Sequence, residues 1–175
     1  SVEMKQRVAT VIAHELAHQW FGDLVTMQWW DDLWLNESFA NMMEYVAIDA
    51  LQPDWHIWET FQTSEAASAL QRDATDGAIV YAKGSRMLVM VRSLIGDDAL
   101  RRGLKDYFEA HKFANAQGSD LWAALGKAAG IDLTAMMSTW LEQPGYPVVN
   151  VKVVNDKLTL SQEQFFIGDG VDQKR

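Results

Sequence analysis

The sequence predicts a mainly α-helical fold followed by a C-terminal β-hairpin. Three observations carry this. Apolar residues recur at spacings of three and four through most of the chain as far as Leu141. Glycines and capping residues punctuate that pattern. After Pro147 it gives way to a β-branched run, Val148-Val149-Asn150-Val151-Lys152-Val153-Val154.

The first helix is expected over residues 2–19, where Met4, Val8, Val11, Ile12 and Leu16 mark the helical period and Glu3 suits the positive end of the helix dipole. Residues 20–35 form an aromatic connector containing Trp20, Phe21, Trp29, Trp30 and Trp34, which read as core packing; Leu24–Trp30 can form a short strand. Asn36 reads as the N-cap of a second helix running to about Gln52 and stopped by Pro53, with Phe39, Met42, Met43, Val46, Ala47 and Ala50 as its buried stripe. Asp54 opens a helix carrying Trp55, Trp58 and Phe61, and Gln71–Gly77 reads as a loop. Further helices are expected over Ala78–Ile95, ended by Gly96; from Asp97 through Leu100, Leu104, Tyr107 and Phe108; from Asp120 to Gly130; and over Leu133–Leu141. Asn155-Asp156 is the turn of the hairpin, with Leu158 and Leu160 on its second strand.

The chain divides into a helical domain over 1–146 and the start of a small β-domain over 147–175. Of its 175 residues, 49% are hydrophobic and 22% charged, a composition that supports a core and excludes disorder. The net charge of −9 disfavours nucleic acid, which calls for a basic face. With no cysteine, disulfide scaffolds and thiolate metal sites are excluded. No apolar run reaches the roughly 20 residues needed to span a bilayer, and the N-terminus lacks a secretory signature. A cytoplasmic location is the expectation.

The chemistry concentrates in His14-Glu15-Leu16-Ala17-His18. Histidines four apart share one helix face, one turn above each other, where a single Zn²⁺ can take both imidazoles. With eighteen residues separating it from His18, Glu37 offers a third ligand. One ion held by His14, His18 and Glu37 acidifies a water from about 15.7 towards roughly 7, and Glu15, beside the first ligand, is placed to take that water's proton. Asn41 and Glu44 share roughly the face of Glu37, and either can hold the second N–H of a ligating histidine. A tyrosine hydroxyl suits the charge developing on an attacked carbonyl. Tyr81 is the candidate, although spacing alone does not separate it from Tyr45 or Tyr107. His56 and His111 lack partner spacing and read as surface and helix-end histidines.

His14-Glu15-Leu16-Ala17-His18-Gln19-Trp20-Phe21-Gly22-Asp23-Leu24-Val25-Thr26 closely resembles the zinc-site helix of the M1 aminopeptidases, within the gluzincins. Trp29-Trp30-Asp31-Asp32-Leu33-Trp34-Leu35-Asn36-Glu37-Ser38-Phe39-Ala40 continues the resemblance through the third ligand. Tyr81-Ala82-Lys83-Gly84 looks like the family's Tyr-x-Lys-Gly segment, and Trp140-Leu141 to Gly145-Tyr146-Pro147 resembles the end of its catalytic domain. The resemblance implies a thermolysin-like zincin helical catalytic domain, one zinc ion, peptide substrates cleaved at their N-terminal bond, and a role for Tyr81 in stabilising the tetrahedral intermediate. It also implies partner domains of the parent enzyme, a β-rich one upstream of Ser1 and a helical one downstream. The Gly-x-Met-Glu-Asn motif that holds the substrate's amino group is absent, so a zinc endopeptidase of the same fold stays open, as does a noncatalytic scaffold. Glu37 and Tyr81 stand closer in sequence than in typical relatives, the shortage falling around Gln71–Gly77, which leaves either a deletion or an omitted loop.

Overall fold

A computed structural model describes residues 2–65, 81, 83–142 and 146–165. Its elements are α1 (Val2–Ala17), β1 (Val25–Met27), a 3₁₀ turn (Trp30–Asp32), α2 (Trp34–Leu51), a 3₁₀ turn (Pro53–Trp55), α3 (Ile57–Thr60) with a π-type turn (Phe61–Glu65), α4 (Gly84–His111), β2 (Ala114–Ala116), α5 (Gly118–Ala129), α6 (Leu133–Glu142), β3 (Tyr146–Val154) and β4 (Lys157–Phe165). The mainly helical expectation with its terminal hairpin holds. The chain separates into two compact units, Ser1–Thr134 and Ala135–Arg175.

In the first unit α2 is the central helix, packed on α1 and α4, and α5 packs on α4. Phe39, Ala40, Met42, Tyr45 and Ile48 of α2 are buried, and Tyr45 and Ile48 cluster with Ile57 and Phe61. α2 starts two residues before Asn36, with Leu33 at its N-cap and no side-chain cap, so Asn36 and Glu37 both fall in the first turn. The helix expected from Asp54 is broken at His56, whose left-handed backbone (φ 48°) lies between the 3₁₀ turn and α3.

Gly96, with a non-helical φ of 79° and ψ of 160°, divides α4 into two helical halves at the break expected there. Arg92, just before it, grips Asp97, just after it, through two hydrogen bonds of 2.6 and 3.1 Å. The loop expected at Gln71–Gly77, and the start of the helix expected from Ala78, lie outside the described residues. Asp120 caps α5 differently from the expectation: Gln117 is the N-cap, and the Asp120 carboxylate accepts the Gln117 main-chain N–H at 2.9 Å in a capping box.

The strand expected after Gly22 is only three residues long and pairs in parallel with β2, Val25 opposite Ala114 and Met27 opposite Ala116. β2 was not foreseen: three residues are too few to show a strand period. The main-chain N–H of Phe113 donates to Leu24 O at 2.7 Å and that of Gln28 to Ala116 O at 2.9 Å, so the chain leaving α1 is tied to the chain leaving α4.

The aromatic connector only partly fulfils its expected packing role. Phe21 stacks on Phe39 (4.3 Å between centroids) and Trp34 on Trp122 (5.1 Å), whereas Trp20, Trp29 and Trp30 are exposed. The apolar residues that announce α1, Met4, Val8, Val11, Ile12 and Leu16, are also exposed, and an apolar groove lined by Ile12, Leu16, Met43, Leu51 and Phe108 runs beside them.

In the second unit β3 and β4 pair antiparallel from Tyr146–Phe165 to Val154–Lys157. Asn155 and Asp156 both take positive φ (51° and 58°), the geometry a two-residue hairpin turn demands. Among the described residues no helix is long and apolar enough to cross a membrane.

Candidate metal centre

His14 lies in the last turn of α1 and His18 one residue past its end, where its N–H still bonds to His14 O at 3.3 Å. The helical repeat therefore continues through both, and their rings meet edge to face with centroids 4.8 Å apart. Glu37, in the first turn of α2, faces them across the helix pair. Its Oε2 lies 3.3 Å from His14 Nε2 and 3.6 Å from His18 Nε2. One ligand atom from each residue falls within 4.8 Å of the others.

The Nδ1 atoms point away from this cluster. His14 Nδ1 is 2.9 Å from Glu44 Oε2, and His18 Nδ1 is 2.9 Å from the main-chain oxygen of Phe21. Both outer partners are acceptors, so each Nδ1 carries hydrogen and each neutral ring turns an Nε2 lone pair inward. Two imidazole lone pairs and a carboxylate oxygen then converge with no donor of their own to share, an arrangement that calls for a cation. Ligand bonds of about 2.0–2.2 Å in a tetrahedron place neighbouring ligand atoms about 3.4 Å apart, and the two separations measured at Glu37 agree. Without a metal a proton does the same work: the hydrogen bond to Glu44 raises the His14 pKa, burial opposes it, and Glu37 adds to the rise.

Glu15 is exposed on the turn between the two histidines, and its charge acts on the Tyr81 hydroxyl. Tyr81 is 39% exposed and stacks on the His14 ring, with centroids 6.1 Å apart and planes inclined by 28°. Burial, then the Glu37 carboxylate, then the charge of Glu15 push its hydroxyl pKa above the ordinary value, so the phenol stays protonated. Structure separates what spacing did not: Tyr45 and Tyr107 are buried, Tyr45 among Trp58 and Phe61 and Tyr107 beside Phe108. His56 is exposed, and His111 packs its ring near Tyr107 at a helix end.

Of the two candidates for the outer partner of a histidine, Glu44 makes the contact, while the buried Asn41 Oδ1 has no partner among the described residues. The Phe21 carbonyl and the seat of Gly84 escaped the sequence. A Cβ on Gly84 would stand 2.9 Å from Ser38 Cβ, so only glycine lets the start of α4 lie against the residue after Glu37. A main-chain acceptor has no sequence signature. Gly84, by contrast, was visible as a glycine within the tyrosine segment.

A helix pair that brings His-x-x-x-His and a distant glutamate to one point belongs to the class of helical domains with zincin-type ligand spacing. The peptidase family M1 domain matches residues 1–78 and 75–140, and the chain belongs to that family. It is 65% identical to aminopeptidase N of Lactobacillus helveticus, with the whole chain aligned to 23% of that protein. It is 57% identical to aminopeptidase N of Lactococcus lactis subsp. cremoris, again over the whole chain and 23% of the relative. A leucyl aminopeptidase of Saccharolobus solfataricus is 41% identical over 98% of the chain and 24% of its own length. The chain thus spans about a quarter of the relatives it matches. The L. helveticus alignment covers 196 positions against the 175 residues of this chain, which leaves 21 positions of the relative without a counterpart. The two family matches meet at residues 75–78, inside the interval where the sequence stands short between Glu37 and Tyr81.

Proposed function

We propose that this chain carries the catalytic centre of a zinc-dependent aminopeptidase, with His14, His18 and Glu37 as metal ligands, Glu15 as general base and Tyr81 as hydrogen-bond donor to the reacting carbonyl. The observation that carries the reading is the convergence of three ligand atoms within 4.8 Å, with both Nδ1 atoms already engaged elsewhere. When bound there, a zinc ion supplies Lewis acidity to a water and to the peptide carbonyl. The residues then divide the remaining work. Glu15, too close along the turn to His14 to join the ligands comfortably, takes a proton from the attacking water and hands it to the leaving amine. Tyr81, held protonated beside Glu37, donates its O–H to the oxygen on which negative charge develops. The His14 and His18 rings keep their inward lone pairs because their outer N–H groups are anchored.

Removal of N-terminal residues in particular rests on the names of the relatives, and peptide substrates follow from it. The test uses the full-length protein. Metal analysis should find one zinc per chain, and peptides with a free N-terminus should be cleaved while the same peptides with a blocked N-terminus resist. Cleavage of blocked peptides would exclude the exopeptidase reading, and a folded protein that takes up no zinc would exclude the metal centre.

A further inference from the structure

We propose that Glu44 is the positioning residue of the centre: by accepting the Nδ1–H of His14 across the α1–α2 pair, it aims His14 Nε2 at the point shared with His18 and Glu37 before any ion arrives. This rests on the metal-centre reading above.

The two histidines are held by different means. His18 lies just past the end of α1, and the carbonyl that takes its N–H belongs to Phe21, three residues on in the same turn. Local chain geometry alone can set that ring. His14 lies within α1, where the neighbouring carbonyls are committed to helical bonds. Its ring must be fixed by something from outside the helix, and the 2.9 Å contact comes from Glu44, thirty residues away on α2. Glu44 is 8% exposed, and a carboxylate that deep is costly unless it is bonded, so its bond to His14 is a constraint on both helices. Glu37 lies two turns earlier on the same helix. One element therefore presents a ligand to the ion and, two turns away, the group that orients another ligand. Charge adds to this, since a carboxylate on Nδ1–H makes the opposite nitrogen a stronger donor to a metal.

The experiment titrates the metal-free full-length protein with zinc in competition with a chromophoric chelator, for wild type, Glu44→Gln and Glu44→Met. Glutamine keeps an acceptor oxygen but loses the charge; methionine keeps length and loses both. Removing such an outer partner weakens metal binding about 10- to 100-fold. The methionine variant should fall towards the upper end of that range, and the glutamine variant near its lower end, about 10-fold. A melting curve of each metal-free variant accompanies the titration. Either variant, folded and binding zinc as tightly as wild type, overturns the proposal. So does a drop in metal-free melting temperature with zinc affinity unchanged, which would make Glu44 purely structural. If the methionine variant does not fold, the glutamine variant alone decides. A wild-type protein that binds no zinc would instead remove the underlying metal-centre reading, an outcome seen before any variant is measured.

Discussion

Helix α2 buries nine of its residues, Phe39, Ala40 and Met42 among them, whereas α1 buries only Ala17 and leaves Val8, Val11, Ile12 and Leu16 more than half exposed. Both helices show apolar residues at helical spacing, and both contribute to the same cluster. The difference teaches that periodicity reports the presence of a helix but not which of its faces the chain itself covers. In α2 the stripe is covered by Phe21, Ile57 and Phe61. In α1 the face turned to α2 is made of small residues, Ala9, Ala13 and Ala17, and of the histidines. Stability should therefore be concentrated in α2, and chemistry in the turn of α1 that carries Glu15.

The largest effect that tests this division is chemical. Glu15→Gln should lower kcat/KM of the full-length protein by about 10²- to 10⁴-fold, the contribution of a general base, while zinc content and melting temperature stay at wild-type values. Metal lost together with activity would break the assignment of Glu15 as base. Tyr81→Phe should follow, at about 10²-fold in kcat with zinc unchanged, as for loss of one donor to a developing oxyanion; a change confined to KM would reassign it to substrate binding. On the stability side, Phe39→Ala empties a site that is 1% exposed beneath the Phe21 ring and should cost about 3–5 kcal/mol in urea unfolding. Val11→Ala on the open face of α1 should shift stability of this chain by no more than about 0.5 kcal/mol. A cost for Val11 approaching that for Phe39 would erase the contrast between the two helices.

The long elements were legible in the sequence because their signals are local and repeated: the periods of α2 and α4, the break at Gly96, the capping glycine Gly130, and the Asn155-Asp156 turn. The grouping of His14, His18 and Glu37 was legible because a four-residue spacing on a helix brings two of its members together, and a third acid followed in a resembling segment. The missed features depend on pairing between distant stretches. β2 exists only as the partner of β1, the helix start before Asn36 is set without a side-chain cap, and exposure of Trp20, Trp29 and Trp30 follows from surroundings that composition does not encode. Glu44 and Asn41 were equivalent by spacing, and only the approach of α1 to α2 separates them.

The seat of Gly84 on Ser38 joins the two stretches that supply the cluster's carboxylate and its neighbouring phenol. Ser38 is chained to Glu37, and Tyr81 precedes Gly84 by three residues, so the side chain stacked on His14 is located from its downstream neighbour. A side chain at position 84 would therefore press on Ser38 and disturb the carboxylate of Glu37 and the phenol of Tyr81 together.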